Sequence, residues 1–510
     1  MRRGRQRTVL RGTLALAGAG FVAKLLSALQ RVLVARWLGA EAIGLFELAA
    51  PLLSAALTLC SFGLPVALSA AVARSYEQGD VDGALRVLRW SRLLLLGFGV
   101  LGSATLLILA HPLSRAIGNP RTAGVIMVIA PAVLLATLLA GERAWLQGSG
   151  RVPASAATVA AEQFSRVSLA LIVASRFIGS VVGHSQQAAE DLAWSPLAGA
   201  GGGLLSAVAA DRVISTPSQR WQPHDRRTPP ASDAVGGLLR TGFANWSSGA
   251  ITSLALAVDT ALIAWRLRDS GQTAYGATAG IGALNGMALP LAVAPVVLFG
   301  ALGSALLPSS AADWARNDIA SLSRRGQTAY FWALAIAIPC AIVLCQFAVP
   351  ICRFLYHNLA AAGPLTILSF AGIPLGLTYV AGVLANSADK AGILVPGVGV
   401  AAIVKTSLIL ALTGSFGLGV RGAAFAALAG WGINALWTVR AVGRVTGCLP
   451  PWRRVLHTLL PAMALQIAVS WIGWKATGGA AEMVPLALSV TGGIAAYGFV
   501  LAVLAPRPTD

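Results

Sequence analysis

Charge is what this sequence has least of. Only 11% of its 510 residues are Asp, Glu, Lys or Arg, against roughly 25% in a soluble domain. So few charges over so long a chain cannot cover a water-soluble surface. Histidine is scarce and scattered: His111, His184, His224, His357 and His457 stand alone, with no metal-ligand spacing. None of the five cysteines (Cys60, Cys340, Cys345, Cys352, Cys448) forms a CxxC pair. They read as small buried hydrophobes, with no metal site or disulfide framework expected. No GxxxxGK[ST] motif occurs, so direct use of ATP has no support and no cofactor is implied.

What the chain does have is hydrophobic length: 56% hydrophobic residues and a mean hydropathy of +0.74. Apolar runs of roughly 20 residues suit helices that cross about 30 Å of hydrocarbon. About fourteen such spans are expected, over 13–34, 43–63, 91–110, 124–146, 155–177, 193–214, 239–265, 277–302, 328–350, 363–387, 392–412, 418–439, 455–474 and 484–505. The basic N-terminus lacks a small-residue cleavage site, and Lys24 interrupts its apolar run, so a retained first helix is expected.

An even number of spans puts both termini on one side. With the N-terminus in the cytoplasm, and cations near span ends counted with the adjoining loops, that side carries 25 Lys and Arg, the opposite side 10, and three (Lys24, Arg166 and Lys405) lie deep within spans. This asymmetry predicts cytoplasmic termini in a bacterial cytoplasmic membrane. It also accounts for the net charge of +19 without a nucleic-acid partner.

The longest polar connection, STPSQRWQPHDRRTPPASD from Ser215 to Asp233, reads as a cytoplasmic linker. The two sides of it share a pattern at an offset near 237–239. Phe62-Gly63 leads to ARSYEQGDVDGAL, and Phe299-Gly300 to AADWARNDIASL; RVSLAL at Arg166 answers KTSLIL at Lys405. Asp80 and Asp82 fit a turn and helix start that recurs at Asp318. The expected fold is an all-α integral membrane protein of two six-helix bundles related by a parallel repeat. Its parts would be residues 1–214, a linker at 215–238, residues 239–440, and two added helices in 441–510.

Ionisable residues at bilayer depth are costly, so they face a cavity or each other. Lys24 and Arg31 share a face of the first helix. Glu162 and Arg166 stand at i, i+4; Asp259 and Lys405 lie deep in the seventh and eleventh spans, and Glu47 in the second. One reading makes Glu162–Arg166 and Asp259–Lys405 local ion pairs, with Arg31 snorkelling outward beside Arg36. The other gathers Lys24, Arg31, Arg166 and Lys405 into a basic cavity for a multiply charged anion such as a diphosphate. Asp259, Glu162 and Glu47 are then coupling or ion-pairing groups.

Several stretches resemble one transporter family in order along nearly the whole chain. They are RGTLALAGAGFVAKLLSALQRVLVARWLGAEAIGLFELAAPL, AWLQGSGRVPASAATVAAEQFSRV with its EQxxR, and VDTALIAWRL followed by YGATAGIGALNGMALPL. They look like the stage V sporulation protein B group, in the oligosaccharide exporter branch of the multidrug/oligosaccharidyl-lipid/polysaccharide superfamily. The resemblance implies two six-helix bundles with an alternating-access cavity, and transport of undecaprenyl-linked precursors of cell wall or polysaccharide.

In the related lipid II flippases, basic residues midway along the first helix and near its end contact the diphosphate. Lys24 and Arg31 match them approximately. The flippases' further arginines in helices 2 and 8 have no counterpart, where PLLSAALTL and NGMALPLAV stand; Arg166 and Lys405 are the expected substitutes. Asp259 fits part of a sodium site found in some of these flippases, but Lys405 falls where that site needs oxygens. No tight sodium site is expected.

The sequence thus points to a flippase for a lipid-linked anionic saccharide, acting as a monomer among membrane lipids. A drug or cation antiporter of the same superfamily is the alternative; it would want net acid in its cavity. A polytopic enzyme would need catalytic carboxylates or a histidine on a membrane-surface loop, and none is recognisable.

Overall fold

The computed structural model describes residues 2–178, 183–213, 231–415, 417–476 and 483–504, with only the backbone described at 2–25, 231–245 and a few further positions. Among the described residues the regular structure is entirely helical. Eleven helical stretches among the described residues are long and apolar enough to cross a membrane, and the chain is a multi-pass membrane protein. It falls into two compact units: Met1–Trp265 with Ala274–Ala279, and Arg266–Thr273 with Gly280–Asp510.

The first unit opens with α1, Arg2–Ser61. A continuous helix of that length would run about 90 Å, three times the hydrocarbon thickness. Gly39 breaks it, with φ 72° and ψ 176°, a conformation that only glycine adopts readily. Arg31 and Glu47 stand eight residues to either side, yet their side chains meet at 3.8 Å. In an unbroken helix their backbones would be about 24 Å apart, so α1 folds back on itself. Its two arms fall where spans 13–34 and 43–63 are expected.

The helices that follow are α2 (Leu64–Gln78), α3 (Val81–Ala116), α4 (Thr122–Gly148), α5 (Val152–Arg176), α6 (Ser185–Leu192), α7 (Trp194–Val213), α8 (Ala231–Asp269) and α9 (Ala274–Ile281). Leu45, Val125, Ile126 and Ile129 form one buried cluster, and Leu68, Leu88, Leu139 and Trp145 another. The part of α8 up to Trp265 packs with this unit. Trp246 Nε1 donates to the Thr58 carbonyl at 2.8 Å, and the Thr58 and Ser253 hydroxyls lie 3.0 Å apart. The expected linker, 215–238, lies outside the described residues as far as 230.

In the second unit a π-helical segment, Gly282–Ala288, leads to α10 (Leu289–Ala292) and α11 (Val296–Ala315). The expected span 277–302 is therefore no single helix. Pro290 and Pro295 lack the N–H groups that a continuous ladder needs, and a turn at 293–295 separates α10 from α11. Next come α12 (Ile319–Gln346), α13 (Ala348–Tyr356), α14 (Ala362–Leu368), α15 (Gly372–Ser387), α16 (Val395–Leu410), α17 (Val420–Thr446), α18 (Trp452–Ala476) and α19 (Met483–Leu504). Their core gathers Phe299, Tyr330, Phe331, Leu384 and Val442. Cys352 and Cys448 are fully buried, as small hydrophobes would be.

The recurring helix start is present in both units. Asp80 caps α3 by accepting from the Gly83 N–H at 2.7 Å, and Asp318 caps α12 by accepting from Ser321 at 3.0 Å. Left-handed residues precede both caps, Gly79 and Asn317. The Phe-Gly dipeptides differ: Phe62-Gly63 breaks the helix between α1 and α2, whereas Phe299-Gly300 lies inside α11.

If Gly39 sets the fold-back of α1, Gly39→Ala introduces a strained backbone that costs about 1–3 kcal/mol. The thermal midpoint of the purified protein should fall accordingly. An unchanged midpoint would show that the break does not depend on glycine.

Candidate functional site

A cluster of ionisable residues is built on the hairpin of α4 and α5. A short turn at 149–151 joins them, with Gly150 left-handed at its centre. Antiparallel helices around such a turn bring positions equidistant from it face to face, which sets Arg143 opposite Thr158. Arg143 donates to the Thr158 hydroxyl at 2.8 Å and to the Thr158 carbonyl at 2.9 Å.

One turn further, Glu162 takes both arginines. Its Oε2 lies 2.8 Å from Arg143, and its Oε1 accepts from Arg166 at 2.5 Å. Two guanidiniums share one carboxylate, so the group keeps an excess positive charge. Arg166 uses a single nitrogen here; its Nε is buried without a hydrogen-bond partner. From the start of α5, Glu162 is about 15 Å along and Arg166 about 21 Å. The group therefore runs from the end of the helical layer into its middle.

Close packing by α7 holds Arg166 in place. A Cβ added at Gly199 would sit 3.0 Å from both Cβ and Nε of Arg166, so only glycine leaves room for the side chain. From α1, Ser27 donates to Gln163 Oε1 at 3.1 Å. Ser27 lies one turn before Arg31, so the Arg31 face of α1 is the one beside the EQxxR stretch.

Of the residues expected from the sequence, Glu162 and Arg166 pair as their spacing implied. Arg31 meets Glu47 across the fold of α1, a pairing that linear spacing could not show. Arg31 remains half-exposed. Asp259 is buried, 2% exposed, on α8 in the first unit. Lys405 is on α16 in the second unit and lies against Gly430 of α17, where an added Cβ would come within 2.8 Å of its own Cβ. Arg166 and Lys405 thus share a local design, a cation laid over a glycine of the next long helix. The side chain of Lys24 lies outside the described residues.

Arg143 was not foreseen. Counting it with the loop after the fourth span hid its place opposite Thr158, which the symmetry of a short α-hairpin would have revealed. Two further pairs, Arg92–Glu142 and Arg121–Glu41, both at 2.6 Å, brace this unit from its flanks.

A family model described as polysaccharide biosynthesis protein matches residues 9–312. Stage V sporulation protein B of Bacillus subtilis (strain 168) is 26% identical over 447 residues, 86% of this chain and 84% of that protein. Among solved structures, the lipid II flippase MurJ in an inward closed conformation aligns with a TM-score of 0.68 at 13% identity, covering 96% of this chain and 98% of that one. An inward-facing multidrug resistance transporter of the MATE family aligns with a TM-score of 0.68 at 16% identity, covering 83% and 96%. The fold is that of the MOP superfamily, as the sequence resemblance implied.

Replacing the shared carboxylate tests whether the cluster is structural cement. Glu162→Gln leaves two arginines facing each other and should lower stability by about 1–3 kcal/mol, less than for a fully buried pair because the arginines are partly exposed. Adding Arg143→Met should recover part of that loss in thermal unfolding. Equal stability of all three proteins would mean that the cluster carries no net interaction.

Proposed function

Because the chain belongs to the polysaccharide biosynthesis protein family, we propose that it is an alternating-access flippase. Its cargo is an undecaprenyl-diphosphate-linked saccharide, a peptidoglycan precursor or polysaccharide unit, moved across the bacterial cytoplasmic membrane. The observation that carries this reading is the Arg143–Glu162–Arg166 cluster: an excess of fixed positive charge inside a helical bundle. A diphosphate matches that charge, and bidentate guanidinium contacts suit its oxygens.

In this reading Arg166 and Arg143 meet the phosphates, with Lys24, Arg31 and Lys405 completing the positive set. Glu162 holds the guanidiniums extended in the absence of cargo and yields them as the phosphates arrive. Asp259 and Glu47 serve as coupling or ion-pairing groups, and no tight sodium site is needed. The protein acts as a transporter, not a catalyst. Fourteen spans in two six-helix bundles, 1–214 and 239–440, with two added helices and cytoplasmic termini, complete the proposed architecture. Relatives support the choice of cargo: one solved neighbour is a lipid II flippase. The fold alone also suits a drug antiporter, but a cation exporter gains nothing from surplus arginine.

Translocation of an undecaprenyl-diphosphate-linked sugar in proteoliposomes tests this directly. Wild type should flip it, and Arg166→Ala and Lys24→Ala should each slow flipping about tenfold or more, the loss expected for a charge-assisted contact. Both variants should be recovered folded. A wild type that flips nothing, yet takes up an organic cation against a proton or sodium gradient, would move the protein to the antiporter reading.

A further inference from the structure

The second unit contains a cavity of about 380 Å³ between α15 and α17, closed at one end by the start of α18. Ligand pockets fall in the range of about 300–1,000 Å³. Phe370, Pro374, Leu428, Gly432, Leu436 and Trp452 line it, and the lining is almost wholly apolar. It is open to the side, with Phe370, Leu436 and Trp452 half-exposed. In a multi-pass protein such an opening meets acyl chains rather than water. Along α17 the lining runs from Leu428 to Val439, about 16 Å. That is half of a hydrocarbon core about 30 Å thick, the depth of one leaflet.

The hollow ends in arginine. Arg440 stands one turn beyond Leu436 on the same helix face, and Arg453 and Arg454 directly follow Trp452. All three are exposed, as is Arg444. Between Lys390 and Ala481 the chain has no Asp or Glu at all. The connection between α17 and α18 packs on the start of α12, where Ser323 donates to the Gly447 carbonyl at 3.3 Å. Two acids at that end of α11 and α12 are engaged: Asp313 pairs with Arg325 at 2.7 Å, and Asp318 caps α12. Among the described residues, none of Arg440, Arg444, Arg453 and Arg454 forms an ion pair.

An apolar groove one leaflet deep, with unneutralised cations at its mouth, has the form of an anionic phospholipid. We propose that this groove holds one such lipid, an acyl chain lying along α17 and its phosphate on Arg440, Arg453 and Arg454. The occupant is a resident membrane lipid and not the transported cargo. The groove shares no residue with the set proposed to meet the cargo, Lys24, Arg31, Arg143, Arg166 and Lys405.

Native mass spectrometry of the purified full chain, released from micelles containing phosphatidylglycerol and phosphatidylcholine, tests the site. One phosphatidylglycerol per chain should be retained, about tenfold in preference to phosphatidylcholine. That preference should vanish in Arg453→Gln/Arg454→Gln, whose side chains are exposed and whose fold should be intact. Gly432→Leu should prevent retention of either lipid by filling the groove, since a Cβ at Gly432 meets nothing within 4 Å. Phosphatidylcholine held as well as phosphatidylglycerol, or a preference unaltered in the arginine variant, would overturn the proposal. So would undecaprenyl phosphate that displaces phosphatidylglycerol from the wild type, because the groove would then belong to the cargo's path.

Discussion

Hydrocarbon offers no hydrogen bonds, so every polar group carried into it must find its partner inside the protein. This constraint shapes the first unit more than any other. Arg143, Glu162 and Arg166 are tolerable because α4 and α5 form a tight hairpin that puts them in reach of one another. Arg31 and Glu47 are tolerable because Gly39 folds α1 back. Neither arrangement rests on strong individual pairs; each avoids the larger penalty of an uncompensated charge. Small residues do the complementary work. Gly199 and Gly430 let α7 and α17 approach so closely that Arg166 and Lys405 lie flat against a neighbouring helix.

Much of this was legible in the residues because the bilayer simplifies the code. Runs of apolar residues near 20 long marked the helices, and Asp80 and Asp318 marked helix starts that the structure confirms. The pair Glu162–Arg166 followed from helical spacing alone. What stayed hidden depends on how helices turn back. Arg143 looked like a loop cation until the hairpin set it against Thr158, and Arg31–Glu47 needed the break at Gly39. Span 277–302 was apolar throughout, and its prolines looked like those that other spans absorb. Here two of them frame a turn, because hydropathy records composition and not the continuity of the hydrogen-bond ladder.

The same constraint links structure to cargo. In the proposed function, two arginines that share one carboxylate leave a positive charge that an arriving phosphate would balance. Glu162 pairs with both guanidiniums, and in that proposal it stands in for the phosphate until cargo arrives. The second unit carries exposed arginines, Arg440, Arg444, Arg453 and Arg454, close in sequence to residues that line an apolar hollow. One chain thus shows cations in two settings, two sharing a single carboxylate between helices and others exposed beside an apolar groove.

The central claim is that the diphosphate of the cargo meets the arginines of α4 and α5. Photo-crosslinking tests it most directly, using an undecaprenyl diphosphate probe with its photoreactive group beside the phosphates and peptide mapping of the adducts. The account predicts labelling on peptides that carry Arg143 and Gln163–Arg166, suppressed by excess unlabelled lipid diphosphate. Labelling that avoids α4 and α5, or that an organic cation suppresses equally well, would contradict it.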